Sequence, residues 1–464
     1  MGIINSKFNG PLRKNPINPR YFTDSTGKAI YLTGSHTWFA MQDMWLEDEG
    51  EDYFDYNEFL DMMEKYEHNF LRFWQYALHS CYAPWTEEKI IYDPLPYART
   101  GKGLANDGKP KFDLNQWNED YFLRLRERVE EAGRRGIYVS VMLFEGWCIQ
   151  WSCETVKAWP YHPYNKDNNV NGVDGDPDGD GKNVFHTMEV PAVVQYQKAF
   201  IRKVIDTLND LDFILYEIIN EIPLNDQATL WHFSMVDYVK EYEKTKPVQH
   251  PVGMTAQGFT QTFDLETLSN ADWISPGSGK YWENRYNPPA SKGERVILFD
   301  TDHIYAFGGS PRWVWMSLTR GLNPLFMDSW GPVPGKKPLE GMLDLDLNRR
   351  YYPGWEPIRI NLGYARKYAN RMDLNRALPH NELSTSTFCL ANPGREYLIF
   401  IPGGGPVGID LYAYHKTYKV EWFDPQAGKA FDGDCVKGGH KWGCELKPPF
   451  SGDAVLYLVE QTGE

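Results

Sequence analysis

Eight short apolar segments recur along the first 330 residues, and most of them end in polar or aromatic side chains. They occupy residues 30–33, 70–73, 137–144, 216–219, 251–254, 271–275, 295–299 and 324–327. Short, mostly apolar runs of this kind are typical of strands that are buried on both faces of a parallel sheet. The polar residues that follow them are therefore expected at the carboxyl edge of that sheet.

Amphipathic segments separate several of these runs. Apolar residues recur at three- and four-residue spacings in 53–66, 118–135, 190–209 and 230–244, which predicts helices. Strands that alternate with helices indicate a parallel sheet, and eight repeats indicate its closure into a barrel. An open doubly wound sheet is the alternative, but no glycine-rich phosphate loop follows the first strand. The sequence therefore predicts an α/β fold, a (β/α)8 TIM barrel.

The pattern changes after residue 375. Residues 357–372 predict a last helix, and short alternating strands follow at 384–390, 396–401, 407–411, 418–423 and 454–458. Turns rich in glycine and proline separate these strands. We therefore predict a barrel domain at 1–375 and a small antiparallel β-sandwich domain at 376–464. Such a module either binds carbohydrate or braces the barrel, and bracing is expected here.

Composition excludes two classes of partner. The chain has 48 lysines and arginines against 63 aspartates and glutamates, a net charge of −15, which argues against nucleic acid. No apolar run approaches the length of a membrane span, so no membrane partner is expected. The N-terminus lacks an apolar signal core, which favours cytoplasmic residence, although a mature secreted chain would look the same. Composition leaves the oligomeric state open.

The motif Tyr216–Pro223 places an amide and a carboxyl side by side at the end of the fourth strand. Apolar residues precede Asn220, and Pro223 ends the strand just beyond Glu221, so both polar side chains are expected at the barrel mouth. Barrel enzymes carry their catalytic groups at this edge, and glycosidases use a carboxylic acid to protonate the leaving oxygen. The structural alternative is that Asn220 caps a helix and Glu221 is its first-turn acid.

A second pair of carboxyl groups follows the seventh strand. Acetal cleavage requires an acid and an ionised carboxylate, about 5–5.5 Å apart for retention of configuration and about 6.5–9.5 Å apart for inversion. Asp300 and Asp302 lie on the same side if the extended conformation persists. We expect Asp300, which is aligned with the strand end, to be the second carboxylate, and Asp302 is the alternative. Because aspartate is one methylene shorter than glutamate, inversion also stays open.

Three of these strands resemble those of clan A glycoside hydrolases. The resemblance is carried by Asn-Phe-Leu-Arg-Phe-Trp at 69–74, Tyr-Glu-Ile-Ile-Asn-Glu at 216–221 and Arg-Val-Ile-Leu-Phe-Asp at 295–300. The stretch 300–324, followed by a small β domain, resembles more narrowly the cellulase-like proteins related to the apiosidase-like group. The C-terminal domain of those proteins is labelled collagen-binding.

The resemblance implies a retaining mechanism with Glu221 as acid/base and Asp300 as nucleophile. It further implies that Asn220 hydrogen-bonds the sugar 2-hydroxyl and that Arg72 orients the nucleophile. The chain departs from the clan at Asp300, since glutamate normally stands at that position. No cofactor is expected for catalysis, and the expected partner is an oligosaccharide, a polysaccharide or another glycoside.

Further side chains at the strand ends are candidate sugar contacts. His36 and His303 are suited to grip hydroxyl groups, and Glu145 follows the third strand as a hydrogen-bonding group. Tryptophans that follow strands are candidate stacking walls, and a packing role is the alternative for each. They are Trp38, Trp74, Trp147, Trp282 and Trp330. In an extended strand, Glu217 lies on the same face as Glu221. It is expected to pair with an arginine inside the barrel.

An acidic stretch is inserted between the third and fourth strands, at about 165–185. Asp174, Asp176, Asp178 and Asp180 alternate with glycine and proline, as in the first half of an EF-hand-like calcium loop. Position twelve is Phe185 rather than a bidentate glutamate, so the missing ligand has to come from elsewhere. We predict a structural calcium ion in this loop, and a solvated acidic loop is the alternative.

Two other functions are compatible with these residues. Asp300, Asp302 and His303 are candidate ligands of a divalent metal in an amidohydrolase-like barrel. Against this, the first strand lacks the His-X-His pair that such barrels use. A non-catalytic carbohydrate-binding barrel is the second alternative, and the motif at 220–221 opposite two aspartates argues against it.

Overall fold

A parallel eight-stranded sheet curls into a barrel in the computed structural model. The structure describes residues 7–47, 54–82, 89–150, 157–179, 186–257, 268–305, 308–328, 353–439 and 444–462. The barrel strands are β1 (Gly34–His36), β2 (Phe70–Phe73), β3 (Tyr138–Glu145), β4 (Ile214–Asn220), β5 (Val252–Thr255), β6 (Trp273–Ser275), β7 (Val296–Asp300) and β8 (Asn323–Met327). They pair in the order β1-β8-β7-β6-β5-β4-β3-β2, and a hydrogen bond from Asn69 N to Thr33 O joins the two ends. The predicted (β/α)8 barrel is confirmed.

The first barrel strand begins four residues further along the chain than the sequence predicts, at residue 34 rather than residue 30. The apolar run 30–33 leads into the barrel, and β1, which pairs with β8, is formed by the polar residues after it. Gly34 permits this position, because a Cβ there would lie 2.1 Å from the carbonyl oxygen of Phe70 on β2. The residues before the run belong to a small antiparallel N-terminal sheet. Its strands are Arg13–Lys14, Phe22–Thr23 and Ala29–Ile30.

Helices connect the barrel strands, and five of them lie at positions that periodicity predicts. They are α1 (Tyr56–Lys65), α2 (Glu119–Arg134), α3 (Trp147–Gln150), α4 (Pro191–Leu208), α5 (Asp226–Glu243), α6 (Thr301–Tyr305), α7 (Pro311–Thr319) and α8 (Glu356–Arg371). Side-chain caps define several starts, since Asp55, Asn225 and Ser310 each accept a backbone N–H three residues on. The five predicted helices are confirmed as α1, α2, α4, α5 and α8. No described helix has the length and apolar character that crossing a membrane requires.

Antiparallel strands follow α8. They are β9 (Leu378–Pro379), β10 (Cys389–Asn392), β11 (Glu396–Ile401), β12 (Val407–Ile409), β13 (Thr417–Asp424), β14 (Lys429–Lys437), β15 (Cys444–Leu446) and β16 (Ala454–Glu460). Six of them form one sheet in the order β9-β10-β11-β16-β13-β14, and β12 pairs with β15. One face of the larger sheet packs on α7 and α8, where Phe423 contacts the rings of Trp315 and Tyr368. The bracing role and the β-sandwich assignment of this region stay predictions.

Parts of this region differ from the sequence prediction. The strand predicted at 384–390 begins only at Cys389, because a turn precedes it. In that turn Ser386 N–H donates to the Ser384 hydroxyl, and Thr387 has a φ of 63°. The edge strand β14 was not predicted, since its mostly exposed residues lack the alternation of apolar and polar side chains.

Small elements occupy the connections between barrel strands. After β1 and β2, Asp43–Leu46, Ser80–Tyr82 and Lys89–Asp93 form a three-stranded antiparallel sheet. Tyr97–Ala98 pairs with Asp113–Trp117 before α2. Single 3₁₀ segments lie at Trp159–Tyr161, Lys280–Arg285, Pro353–Trp355 and Asn381–Leu383.

Candidate active site

Six barrel strands end in polar side chains; Thr255 of β5 donates to the backbone carbonyl oxygen of Ile219, and the other five line the mouth of the barrel. These are His36 from β1, Glu145 from β3, Asn220 from β4, Ser275 from β6 and Asp300 from β7. All five are buried. The carboxyl ends of parallel barrel strands meet at one face, which is where barrel enzymes carry out chemistry. Ser275 was not among the predicted site residues, although it is the last residue of a predicted strand.

Arg72, from β2, holds this group together through its guanidinium. Nε and Nη2 donate to Glu217, while Nη1 donates to Asp302 at 2.8 Å and to Asp300 at 3.3 Å. Nη2 also donates to Oδ1 of Asn220. Burial would lower the pKa of Arg72, but the carboxylates, led by Glu217, raise it well above its usual range. The predicted pairing of Glu217 with an arginine inside the barrel is confirmed.

The contact with Arg72 also fixes the Asn220 amide and the tautomer of His303. A guanidinium only donates, so the atom of Asn220 that it contacts is the oxygen. The same oxygen lies 3.0 Å from Nε2 of His303, so Nε2 carries the proton, and Nδ1 accepts from the Ser275 hydroxyl at 3.0 Å. Burial lowers the pKa of His303 to about 3 and keeps the ring neutral.

The Asn220 amide nitrogen takes no part in this hydrogen-bond network. Nδ2 is buried, and no hydrogen-bond partner for it lies within the described part of the chain. A buried donor without a partner costs about 1–3 kcal/mol, so such groups mark places where a ligand completes the hydrogen bonding. Nδ2 of Asn220 is therefore an available donor directly before Glu221.

Asp300 is fully buried, and both of its oxygens are engaged. Nε2 of His36 and the backbone N–H of Asp302 lie 2.9 Å from Oδ1, and Arg72 contacts Oδ2. Trp74 donates to Nδ1 of His36 at 2.9 Å, which leaves Nε2 of the ring to donate to Asp300. Although burial acts in the opposite direction, His36 and Arg72 lower the pKa of Asp300 well below its usual range.

Glu221 and Asp302 lie beside each other, together with His303. One ligand-type atom from each of these three residues lies within 4.8 Å of the other two. Glu221 follows β4 in a left-handed backbone conformation, with a φ of 47°. Burial, followed by the carboxylates of Asp302 and Glu145, raises the pKa of Glu221 well above its usual range. Burial also raises the pKa of Asp302 to about 6, against the opposing effect of Arg72.

Glu145 is a third buried carboxyl group beside these two. Its oxygens accept the backbone N–H groups of Trp147 and Cys148 at the start of α3. Burial raises the pKa of Glu145 to about 7, although these hydrogen bonds act against the shift. The predicted contact of Glu145 with substrate stays a prediction.

The predicted tryptophans have different environments. Trp74 is buried against His36. Trp38 packs edge-on against Trp74, with 6.4 Å between the two ring centroids. Trp147 is half-buried beside Glu145, whereas Trp282 lies on the segment after β6 and is 40% exposed. Trp330 lies outside the described residues. The structure thus brings Trp38, Trp74 and Trp147 to the polar cluster and leaves Trp282 further out.

The acidic stretch is separate from this cluster. Asp174 pairs with Lys166 at 3.3 Å and accepts the backbone N–H of Asp176, while Asp178 is exposed. Asp180 lies outside the described residues. Among the residues that the structure describes, ligand-type side chains gather closely only in the group that contains Glu221. Calcium binding by the acidic stretch therefore stays a prediction.

Chelation tests this calcium prediction. If the loop binds Ca²⁺ only in the folded state, EGTA is expected to lower the Tm, and added Ca²⁺ to restore it. Asp178→Asn is expected to weaken the response to Ca²⁺, because it removes one exposed carboxylate from the stretch. An unchanged melting curve in EGTA, together with no metal by elemental analysis, would favour a solvated acidic loop.

The barrel and its C-terminal strands are shared with known structures. A structure described as a glycoside hydrolase aligns with a TM-score of 0.60 and 13% identity, over 98% of this chain and 98% of the other. A glycoside hydrolase family 5 protein from Bacteroides vulgatus ATCC 8482 aligns with a TM-score of 0.64 and 13% identity, over 97% and 93% of the two chains.

Sequence comparisons add less. A family model described as a domain of unknown function (DUF6298) matches residues 84–294, and no curated protein sequence matches the chain. At 13% identity the structural likeness establishes the fold, which is the fold of known glycoside hydrolases. The relationship to the apiosidase-like group and the collagen-binding label stay predictions.

Proposed function

We propose that this protein is a retaining glycoside hydrolase, with Glu221 as acid/base and Asp302 as nucleophile. The observation that carries the proposal is the approach of Glu221 and Asp302 to within 4.8 Å at the barrel mouth. Retaining enzymes hold their two carboxyl groups about 5–5.5 Å apart, whereas inverting enzymes leave about 6.5–9.5 Å for a water molecule. The short separation therefore favours retention, and the fold shared with glycoside hydrolases supports the class.

The two carboxyl groups have environments that suit opposite protonation states. Burial raises the pKa of Glu221 well above its usual range, which favours its protonated form. The pKa of Asp302, at about 6, is below neutrality, because Arg72 donates to it at 2.8 Å and offsets part of the effect of burial. Two carboxyl groups whose pKa values are separated by their surroundings form the acid and the nucleophile of a glycosidase.

The chemistry follows from this division. An oxygen of Asp302 attacks the anomeric carbon while the bond to the leaving oxygen breaks, and Glu221 gives its proton to that oxygen. Glu221, now ionised, takes a proton from a water molecule. The resulting hydroxide attacks the anomeric carbon, and Asp302 leaves as a carboxylate. Each group ends in its starting state, and the configuration at the anomeric carbon is retained.

Asp302 is preferred to Asp300, which the strand-end position suggests from sequence. A nucleophile needs an oxygen that can reach the substrate, but Asp300 is 0% exposed and its two oxygens are held by three neighbouring groups. Asp302 is 5% exposed and lies next to Glu221. Asp300 then acts as a positioning residue that orients Arg72 and the backbone N–H of Asp302.

Asn220 supplies a donor for a sugar hydroxyl next to the bond that is cleaved. Its oxygen is occupied by Arg72 and His303, and its amide nitrogen is buried and available. Trp38 and Trp147 are close enough to the polar cluster to contact the sugar ring, whose apolar faces stack on aromatic side chains. These groups support a glycoside as the substrate class.

A metal-dependent hydrolase is the second candidate, because Glu221, Asp302 and His303 also form a possible ligand set for a divalent cation. Two features oppose it. Both ring nitrogens of His303 are already engaged by Asn220 and Ser275. The guanidinium of Arg72 beside Asp302 also repels a cation. Activity that persists in EDTA would support the glycosidase, and loss that a divalent metal reverses would support the metal enzyme.

Glu221→Gln is expected to lower kcat by about 10²–10⁴-fold on glycosides with poor leaving groups. The loss is expected to be much smaller on dinitrophenyl glycosides, because their leaving groups depart without a proton. The measurement is a comparison of leaving groups within a panel of aryl pyranosides and furanosides. Glu58→Gln, an exposed change on α1, is the matched control and is expected to leave kcat unchanged.

Two outcomes would contradict this assignment. An equal loss on both kinds of leaving group would mean that Glu221 is not the general acid. No turnover by the wild-type protein on any member of the panel would favour a non-catalytic carbohydrate-binding barrel.

A further inference from the structure

The segment after β6 exposes three aromatic side chains beside α6. Tyr281 and Tyr286 are 83% and 74% exposed, and Trp282 is 40% exposed. We call these three residues the aromatic platform. Large aromatic side chains are mostly buried elsewhere in the barrel, and exposed aromatic clusters mark binding surfaces. The platform follows the strand whose last residue, Ser275, contacts His303 in the candidate active site.

The platform backbone has an unfavourable conformation. Tyr281 (φ 56°, ψ 26°) and Trp282 (φ 61°, ψ 27°) both lie in the left-handed region, which bulky residues avoid. Gly279, with a φ of 74°, starts the turn, and Asn284 donates to the carbonyl oxygen of Gly277 at 2.8 Å and closes it. Strained residues of this kind persist where surrounding contacts impose them, and they concentrate at ligand-binding sites.

Arg285 joins the platform to the helix that carries Asp302. Its guanidinium lies 3.9 Å from the ring centroid of Trp282 and 5.1 Å from that of Tyr305 on α6. Nε donates to the carbonyl oxygen of Ile304 at 2.6 Å, and the Tyr305 hydroxyl donates to the carbonyl oxygen of Arg285 at 3.0 Å. The Trp282 ring is therefore held in place before a ligand arrives, which lowers the entropy lost on binding.

We infer that the aromatic platform is a subsite for a sugar ring of an oligosaccharide or polysaccharide, away from the bond that is cleaved. The inference rests on the proposed glycosidase function. Sugar rings present apolar C–H faces that stack on aromatic rings, and the exposed side chains of Lys280 and Glu283 offer polar groups to the hydroxyls. A single sugar at Asp302 and Glu221 would not use this surface. The substrate is therefore a chain of sugars rather than a small glycoside.

Substitution at Trp282 tests the inference. Trp282→Ala is expected to lower kcat/KM by about ten-fold on oligosaccharides of about four to six units, because one stacking surface is lost. On the aryl monoglycoside of the same sugar, kcat/KM is expected to stay within about two-fold of the wild-type value. Trp282→Phe keeps an aromatic ring and is expected to retain most of the activity on the oligosaccharide. Tyr412→Ala, which removes a 60% exposed aromatic from the C-terminal region, is the matched control.

The value of kcat/KM on the aryl monoglycoside measures folding and catalysis without a contribution from the subsite. Losses of equal size on the monoglycoside and the oligosaccharide would overturn the inference, and so would no loss on either, while the proposed glycosidase function would stand. A loss for Tyr412→Ala equal to that for Trp282→Ala would also overturn it. If the wild-type protein turned over no glycoside, the proposed function would fail, and the inference would fall with it.

Discussion

Asp302→Ala is expected to lower kcat by at least about 10⁴-fold, the largest effect of any single change to this site. The substitution removes the oxygen that attacks the anomeric carbon, so no glycosyl-enzyme forms. Azide is expected to restore turnover of activated aryl glycosides, because it enters the vacated space and attacks in place of the carboxylate. The glycosyl azide then has the inverted configuration, which NMR of the product measures.

Asp300→Ala is the matched control, because it removes a carboxylate two residues away. It is also expected to lower kcat, since Arg72 and His36 lose a common partner. Azide is not expected to restore its activity, because the nucleophile is still in place. If azide restored the activity of Asp300→Ala but not that of Asp302→Ala, the nucleophile would be Asp300 and not Asp302.

Arg72→Met is expected to have the second largest effect, on both stability and turnover. It leaves Glu217, Asp300 and Asp302 buried without their shared cation, and breaking a buried ion pair costs about 3–5 kcal/mol. In the variant the pKa of Asp302, which burial already raises, loses the opposing effect of Arg72 and moves further above its unfolded value. The folded state then binds more protons than the unfolded state, so the free energy of unfolding falls as the pH rises. Denaturant unfolding should show a larger deficit against the wild type at about pH 7 than at about pH 5.

Arg72→Lys separates the charge of Arg72 from its geometry. Lysine restores the positive charge, but its three N–H groups cannot replace the five hydrogen bonds that Arg72 donates. We expect much of the lost stability to return while kcat stays low. Wild-type kcat in Arg72→Met, or a deficit in stability that shrinks as the pH rises, would contradict the role given to Arg72.

The barrel could be predicted because its strands are buried on both faces. Strands such as β2 and β4 are therefore mostly apolar runs, each interrupted by one charged residue, and such runs are visible without any structure. β1 was misplaced because its residues are Gly34, Ser35 and His36, which carry no apolar signal and are placed by close packing against β2. β14 was missed for a related reason, since an edge strand with exposed side chains shows no alternation.

The sequence indicates which side chains gather at the barrel mouth, but it does not indicate the different surroundings of Asp300 and Asp302. Alternation along an extended chain would put both carboxylates on one side. Helix α6 begins instead at Thr301, so Asp300 contacts Arg72 and His36 while Asp302 lies beside Glu221. A helix of one turn has no periodic signal in the sequence.

Two other features of the site also depend on the folded chain. The left-handed backbone of Glu221 gives no sign in the sequence, because such conformations are uncommon outside glycine. The part played by Ser275 depends on the tautomer of His303, which in turn depends on Asn220 and Arg72. Contacts between distant segments decide both features, so local patterns do not reveal them.

The most direct test of the central claim is to trap and locate the covalent intermediate. A 2-deoxy-2-fluoro glycoside with an activated leaving group slows hydrolysis of a glycosyl-enzyme, and mass spectrometry of the intact chain and its peptides then locates the sugar. The proposed mechanism predicts one sugar per chain, bound to Asp302, and none on the Asp302→Ala variant. A sugar bound to Asp300, or no adduct together with a first-formed product of inverted configuration, would contradict it.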